Sequence, residues 1–142
     1  MSSFKAFDIA GSGMSAQSVR LNTTASNLAN AESVSGDPNT VYKPRHPVFE
    51  AVRQQLAAGA QAQDSGAAVR VSGIYESQAP ATQRYEPGNP LADANGYVYA
   101  PSVNSVEEMV NMISASRSYQ NDVEVMNTSK ELLLATLRLG QG

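Results

Sequence analysis

The chain has no cysteine and no tryptophan, and it has one histidine among its 142 residues. Without cysteine there is no disulfide framework and no thiolate metal site, and the composition suits oxidising and reducing compartments alike. Three phenylalanines and six tyrosines are few large aromatics, so a thick autonomous core is not expected. Positive charge is scarce and scattered. Ten basic against 13 acidic residues leave a net charge of −3, with no cluster able to neutralise a run of phosphates, which excludes nucleic acid as a partner. No stretch approaches the roughly 20 apolar residues of a membrane span. Lys5, Asp8 and the polar run from Gly11 to Ser18 stand where a secretory signal would need an apolar segment, so no cleaved signal peptide is expected.

What is present is a pair of heptad patterns, one at each end. Phe4, Gly11, Ser18 and Ala25 recur every seven residues and interleave with Phe7, Met14, Leu21 and Leu28. Met109, Ser116, Val123, Lys130 and Leu137 interleave in the same way with Met112, Tyr119, Met126 and Leu133. Alternating steps of three and four keep one helical seam facing a partner helix turn after turn. The expected fold is therefore mainly α, with long terminal helices paired as an antiparallel coiled coil. Residues 1–33 and 104–142 would form one helical core domain, and residues 34–103 a central excursion. Two paired rods bury only one stripe each, so the isolated chain is expected to be marginal and to draw helical stability from neighbouring chains.

The first helix is expected from Ser3 to about Ala31, with Gly11 and Gly13 as close-packing points or a hinge. The run Ser35-Gly36-Asp37-Pro38-Asn39 ends it. Residues 41–49 carry Pro44 and Pro47, which bars them from a central strand and predicts an extended arm. Alanine and glutamine between Glu50 and Gln63 predict a short, weak, mobile helix. Val69 to Val71 and Ile74-Tyr75 read as strand, with Gly73 as a bulge. Glu86 to Pro90 is a turn signal, and Asn95-Gly96 before Tyr97-Val98-Tyr99 predicts a tight hairpin turn, so the middle is a small β-rich hairpin excursion. The last helix starts after Pro101, capped by Asn104 or Ser105 with Glu107 and Glu108 at its positive end, and runs to about Leu139 before Gly140.

Candidate chemistry is sparse. Gly11-Ser12-Gly13-Met14-Ser15-Ala16 matches G-x-G-x-x-A, but the dinucleotide fingerprint works only after a strand, and Phe4 to Ala10 continues a helix. His46 lacks the nucleophile and orienting partner of a catalytic base and the companion ligands of a metal site. Glu107 and Glu108 point about 100° apart on a helix and suit its first turn better than acid/base work. No enzyme activity, cofactor or metal follows. The polar residues at or beside the seams carry more information: Asn22, Ser26, Asn27, Asn30 and Ser116 are either a solvated face or groups that set register against other subunits.

Residues 21–31, LNTTASNLANA, resemble the N-terminal signature of bacterial flagellar axial proteins of the rod and hook. Residues 106–120, VEEMVNMISASRSYQ, look like the matching C-terminal signature, and residues 85–98, YEPGNPLADANGYV, are similar to the proximal-rod FlgC family. The resemblance covers nearly the whole chain and is weakest over residues 35–68; Glu32-Ser33 stand where the signature commonly has a threonine. It implies a subunit of the flagellar basal-body proximal rod, in the periplasmic space, part of the hollow drive shaft that carries motor torque to the hook. It further implies unfolded export by the flagellar type III apparatus. Implied partners are copies of itself, other proximal and distal rod subunits and the basal-body base adaptor. In that setting Phe4, Phe7, Met14, Leu21 and Leu28 are expected to form a seam with Met112, Tyr119, Val123, Met126, Leu133 and Leu137, and Asn22, Asn27 and Asn30 to contact neighbouring subunits. Helical ends alone would also fit a cytoplasmic coiled-coil adaptor or export chaperone.

Overall fold

The computed structural model describes residues 3–53 and 66–140. Helix α1 runs Ser3–Asn30 and helix α2 runs Ser105–Leu139, 28 and 35 residues. Between them lie strands β1 (Arg45–Arg53), β2 (Ala67–Glu76), β3 (Thr82–Tyr85) and β4 (Tyr97–Ala100), paired β1 with β2 and β3 with β4. The two long terminal helices pack together, with small antiparallel hairpins in the middle. Gly13 faces Asp122, Gly11 faces Met126, and Arg20 Nη2 donates to Asn111 Oδ1 at 3.1 Å; rising numbers on one helix meet falling numbers on the other, the mark of antiparallel pairing.

The chain divides into two compact units, and every helix and the first hairpin contribute to both. The first contains residues 1–19, 48–73 and 114–142. Here glycine matters through its missing Cβ: one added at Gly13 would stand 2.6 Å from Asp122 Oδ2, and one at Gly11 would stand 3.6 Å from the Met126 methyl. The two glycines are close-packing points between the helices, within unbroken α1, and no strand precedes them as a dinucleotide loop requires. Ser12 ties the ribbon to α1: its hydroxyl donates to Ile9 O at 2.7 Å and accepts the Val69 N–H at 3.1 Å. Along the ribbon, Arg70 pairs with Glu50 at 2.8 Å and the Ser72 hydroxyl donates to Val48 O at 3.2 Å.

The second unit contains residues 20–47 and 74–113. Asn27, with no exposed surface, organises it. Its Oδ1 accepts the Arg45 N–H at 2.9 Å and the Tyr42 hydroxyl at 2.8 Å, while its Nδ2 donates to Arg45 O at 2.9 Å. The side-chain amide thus pairs with both backbone groups of Arg45, as a neighbouring strand would, and ties the arm to α1. Ser35 and Tyr99 exchange backbone hydrogen bonds at 2.9 and 2.8 Å, bringing the chain after α1 against β4. Val98 in β4 has no exposed surface, and Val41, Ala31 and Ala100 are buried in the same unit. Asn104 caps α2, its Oδ1 accepting the N–H of Val106 at 3.1 Å and of Glu107 at 3.3 Å.

One local expectation changes. The helix predicted from Glu50 to Gln63 begins as strand: residues 50–53 belong to β1, and the remainder lies outside the described residues. Pairing of β-branched and aromatic residues with β2 overrides a weak local helical preference. Pro47 is accommodated because each strand of a two-stranded ribbon is an edge. Asn95-Gly96 sits in a tight turn entering β4, in which Gly96 N donates to Asp93 O at 3.0 Å and Asp93 N to Tyr97 O at 2.8 Å. It closes the longer loop between β3 and β4, in which Glu86 N donates to Gly96 O at 2.9 Å and Gly96, at φ +82°, takes the conformation that glycine tolerates best. Asp93 holds that loop, its Oδ1 accepting the N–H of Asn95 at 2.8 Å and of Tyr97 at 2.9 Å. The Tyr97 N–H, foremost among these donors, keeps the carboxyl below the ordinary aspartate value of 3.8.

Candidate assembly surface

The covered face of α2 carries Glu108, Ala115 and Ser129 as buried residues and Asp122 half-buried, every seventh position. Between them fall Met112, Tyr119, Met126 and Leu133, all half-buried. The second series matches the sequence pattern, whereas the first sits one residue earlier than Met109, Ser116, Val123 and Lys130. Met109 and Lys130 are exposed; Ser116 and Val123 are half-buried. Small and polar side chains let the helices approach closely, which a methionine or lysine at the same place would prevent. On α1 the buried residues are Ala10, Ala16, Thr23, Thr24 and Asn27, again small or polar.

The large apolar residues expected on the seam flank this contact. Met14, Leu21 and Leu28 are half-buried, Phe7 is exposed, and the side chain of Phe4 lies outside the described residues. Leu137 stands 62% exposed, away from the covered stripe. Of the polar residues, Asn22 is exposed and Ser116 half-buried. Ser26 shares a hydrogen bond with the Tyr42 hydroxyl at 3.1 Å, and Asn30 Nδ2 donates to Ser26 O at 2.8 Å. Asn27, expected to meet a neighbouring subunit, has no exposed surface, and its amide is held by the arm through three hydrogen bonds.

The buried hydrophobic residues, among those described, are five alanines and two valines. Burying one large aliphatic or aromatic side chain stabilises by roughly 1.5–3 kcal/mol, and this core contains no leucine, isoleucine, methionine or phenylalanine fully buried. They lie outside instead. Val106, Met109, Val110 and Ile113 are exposed at spacings of three and four along α2, one helical face, with Val110 at 61%. Val125, Leu132, Leu134 and Leu137 are exposed toward the C-terminal end of the helix, and Val48, Phe49, Ile74 and Tyr75 are exposed on β1 and β2. Exposed apolar faces of this kind are where a soluble protein commonly makes contacts. Among the described residues no three or more His, Asp or Glu side chains gather as a metal site would require, and no helix is long and apolar enough to cross a membrane.

Known proteins carry the same pattern. Residues 7–36 match the family model "Flagella basal body rod protein", and residues 94–139 match "Flagellar basal body rod FlgEFG protein C-terminal". The chain is 56% identical over 135 residues to the flagellar basal-body rod protein FlgC of Salmonella typhimurium, covering 95% of this chain and 96% of that one. The FlgC protein of Yersinia enterocolitica is 52% identical over 141 residues, covering 99% and 100%, and that of Aquifex aeolicus 42% over 137 residues, covering 96% of each. With both ends matched and relatives of equal length, the chain belongs to the FlgC family of flagellar basal-body rod proteins, structural subunits and not enzymes.

Proposed function

We propose that this rod subunit is built into the proximal part of the shaft, where its terminal helices pack against copies of itself, other proximal and distal rod subunits and the basal-body base adaptor to carry torque to the hook. The observation that carries this reading is the inverted distribution of apolar side chains: small and polar residues inside the chain, large apolar residues outside. Such a subunit gains most of its hydrophobic burial on assembly, so the free chain is marginal and the assembled one locked. Marginal stability also suits passage as an unfolded chain through the flagellar type III export apparatus before incorporation in the periplasm. The half-buried residues beside the seam, Met14, Leu21 and Leu28 on α1 and Met112, Tyr119, Val123, Met126 and Leu133 on α2, complete their burial against neighbours. So do Phe7 and Leu137. Asn22, Asn30 and Ser116 supply polar contacts that fix register.

The test is the exposed face of α2. Val110→Asp with Ile113→Asp should abolish motility and remove the chain from purified basal bodies, while synthesis and export continue at wild-type levels. Rods that assemble with this variant would show that the face is solvent-facing and would sink the reading.

A further inference from the structure

Asparagine followed by glycine is the dipeptide in which a backbone nitrogen most readily attacks a side-chain amide, because glycine leaves that nitrogen unscreened and its backbone free to turn. The loop between β3 and β4 contains one such pair, Asn95-Gly96, and the fold itself demands the glycine. Gly96 stands at φ +82°, and a Cβ there would lie 3.0 Å from Tyr85 Cε2 and 3.2 Å from Pro87 Cβ. Asn95 beside it is exposed, and the whole loop belongs to the second unit.

Turn geometry decides whether the pair can react. The Gly96 N–H donates to Asp93 O at 3.0 Å, closing a four-residue turn over Ala94 and Asn95. Neither central residue has positive φ, which excludes turns of type I′, II and II′ and leaves type I, with the Asn95 ψ at about 0°. Ring closure needs the Gly96 nitrogen on the same side of the Cα–C bond as the Asn95 Cβ. A type I turn places it over the Asn95 nitrogen instead. The same nitrogen must lose its proton to attack, and Asp93 O engages that proton. The Asp93 carboxylate braces the turn, its Oδ1 accepting the N–H of Asn95 at 2.8 Å and of Tyr97 at 2.9 Å. Asp93 N donates to Tyr97 O at 2.8 Å and Glu86 N to Gly96 O at 2.9 Å, so turning the Asn95–Gly96 peptide toward Cβ breaks hydrogen bonds on both sides.

We infer that Asn95 is a site of spontaneous deamidation that the folded loop holds closed, with Asp93 as its guard, and that opens whenever the loop unfolds. In the open chain the Gly96 nitrogen bonds to Asn95 Cγ, the Cγ–Nδ2 bond breaks, and the amide nitrogen leaves as ammonia with the proton given up by the Gly96 N–H. Water then opens the cyclic imide at either carbonyl. Attack at Cγ gives aspartate on an unaltered backbone. Attack at the backbone carbonyl gives isoaspartate, whose main chain runs through Cβ and Cγ and is longer by a methylene. That added carbon displaces the Gly96 amide from Asp93 O and Glu86 N, so an isoaspartate chain does not rebuild the turn. The state of residue 95 therefore records the time a chain has spent with this loop open.

Mass spectrometry of the tryptic peptide 85–117, with isoaspartate assayed separately, follows the reaction in the purified full chain, and Asn95→Gln identifies its signal. In urea Asn95 should convert to both products. Without urea the rate should fall about tenfold or more, by the same factor to which amide exchange shows Gly96 protected, since both processes need one opening. Asp93→Ala should bring the native rate close to the rate in urea, and Asp93→Asn, which keeps an oxygen acceptor, should restore part of the protection. Isoaspartate chains should lack exchange protection at Glu86 and Gly96. Equal rates with and without urea while the Gly96 amide is protected would mean that the turn is itself reactive, and would overturn the inference. So would a Gly96 amide without protection, since the guard would then be absent, an Asn95 that is stable in urea, or a native rate indifferent to Asp93→Ala. None of these outcomes touches the rod reading, which stands on other residues.

Discussion

The two units of this chain are held together by different means. In the second, polar side chains are saturated by their own chain: Asn27 on the Arg45 backbone, Asn104 on the first turn of α2, Asp93 on its loop. In the first, α1 and α2 meet at Gly11 and Gly13 against Met126 and Asp122, with Ala10, Ala16 and Ala115 buried, while leucines and valines further along α2 stay exposed. Directional hydrogen bonds define a geometry without help from outside, because an unmet buried group is penalised at once. Close packing of small residues contributes little burial, so the first unit depends more on what covers it. The second unit thus fixes its own geometry through hydrogen bonds more than the first does, although both present exposed apolar residues of α2, Val106 to Ile113 in the second and Leu132, Leu134 and Leu137 in the first.

The largest break in this comparison should come from Asn27→Leu. It removes the hydrogen bonds to the Arg45 N–H, the Arg45 C=O and the Tyr42 hydroxyl, at about 0.5–1.5 kcal/mol for each, and amide exchange of the isolated chain should show lost protection through the arm and β1 while residues 114–139 are unchanged. Gly13→Val tests the other region. Its side chain meets the Asp122 carboxylate, so the carboxylate must turn aside or the helices separate, at a cost of about 1–3 kcal/mol, read as faster exchange over residues 5–19 and 114–130 with the second unit preserved. Asn104→Ala removes a helix cap and should loosen the first turn of α2 by about 1 kcal/mol, visible at the Val106 and Glu107 amides. Acid gives the smallest effect. Because the folded Asp93 carboxyl titrates below 3.8, the contribution of its loop is complete above that pH and disappears as the pH falls through the lower folded value. Amide shifts of Asn95 and Tyr97 should move together there, and Asp93→Asn should remove the titration.

The heptads made two long antiparallel helices legible, because a three-four alternation has few other uses. They misplaced one row of the α2 seam by a single residue. Hydrophobicity picks out Met109 and Val123, whereas the chain's own helix contact selects for smallness and takes Ala115, Asp122 and Ser129. The signal was present as a parallel row of small residues one step earlier, but size complementarity needs a partner surface before it can be read. Asn27 was visible as a polar residue beside the seam. Its real partner, the backbone of a residue 18 positions away, has no sequence signature at all.

What the sequence by itself determined is the helical ends, the caps and turns, the want of a reactive site and the family, since each rests on local spacing or residue chemistry. Only the tertiary structure decided which face of α2 is spent inside the chain and which polar groups are already satisfied. Those depend on distances between segments far apart in sequence, and burial is a property of the folded surface, not of the residue.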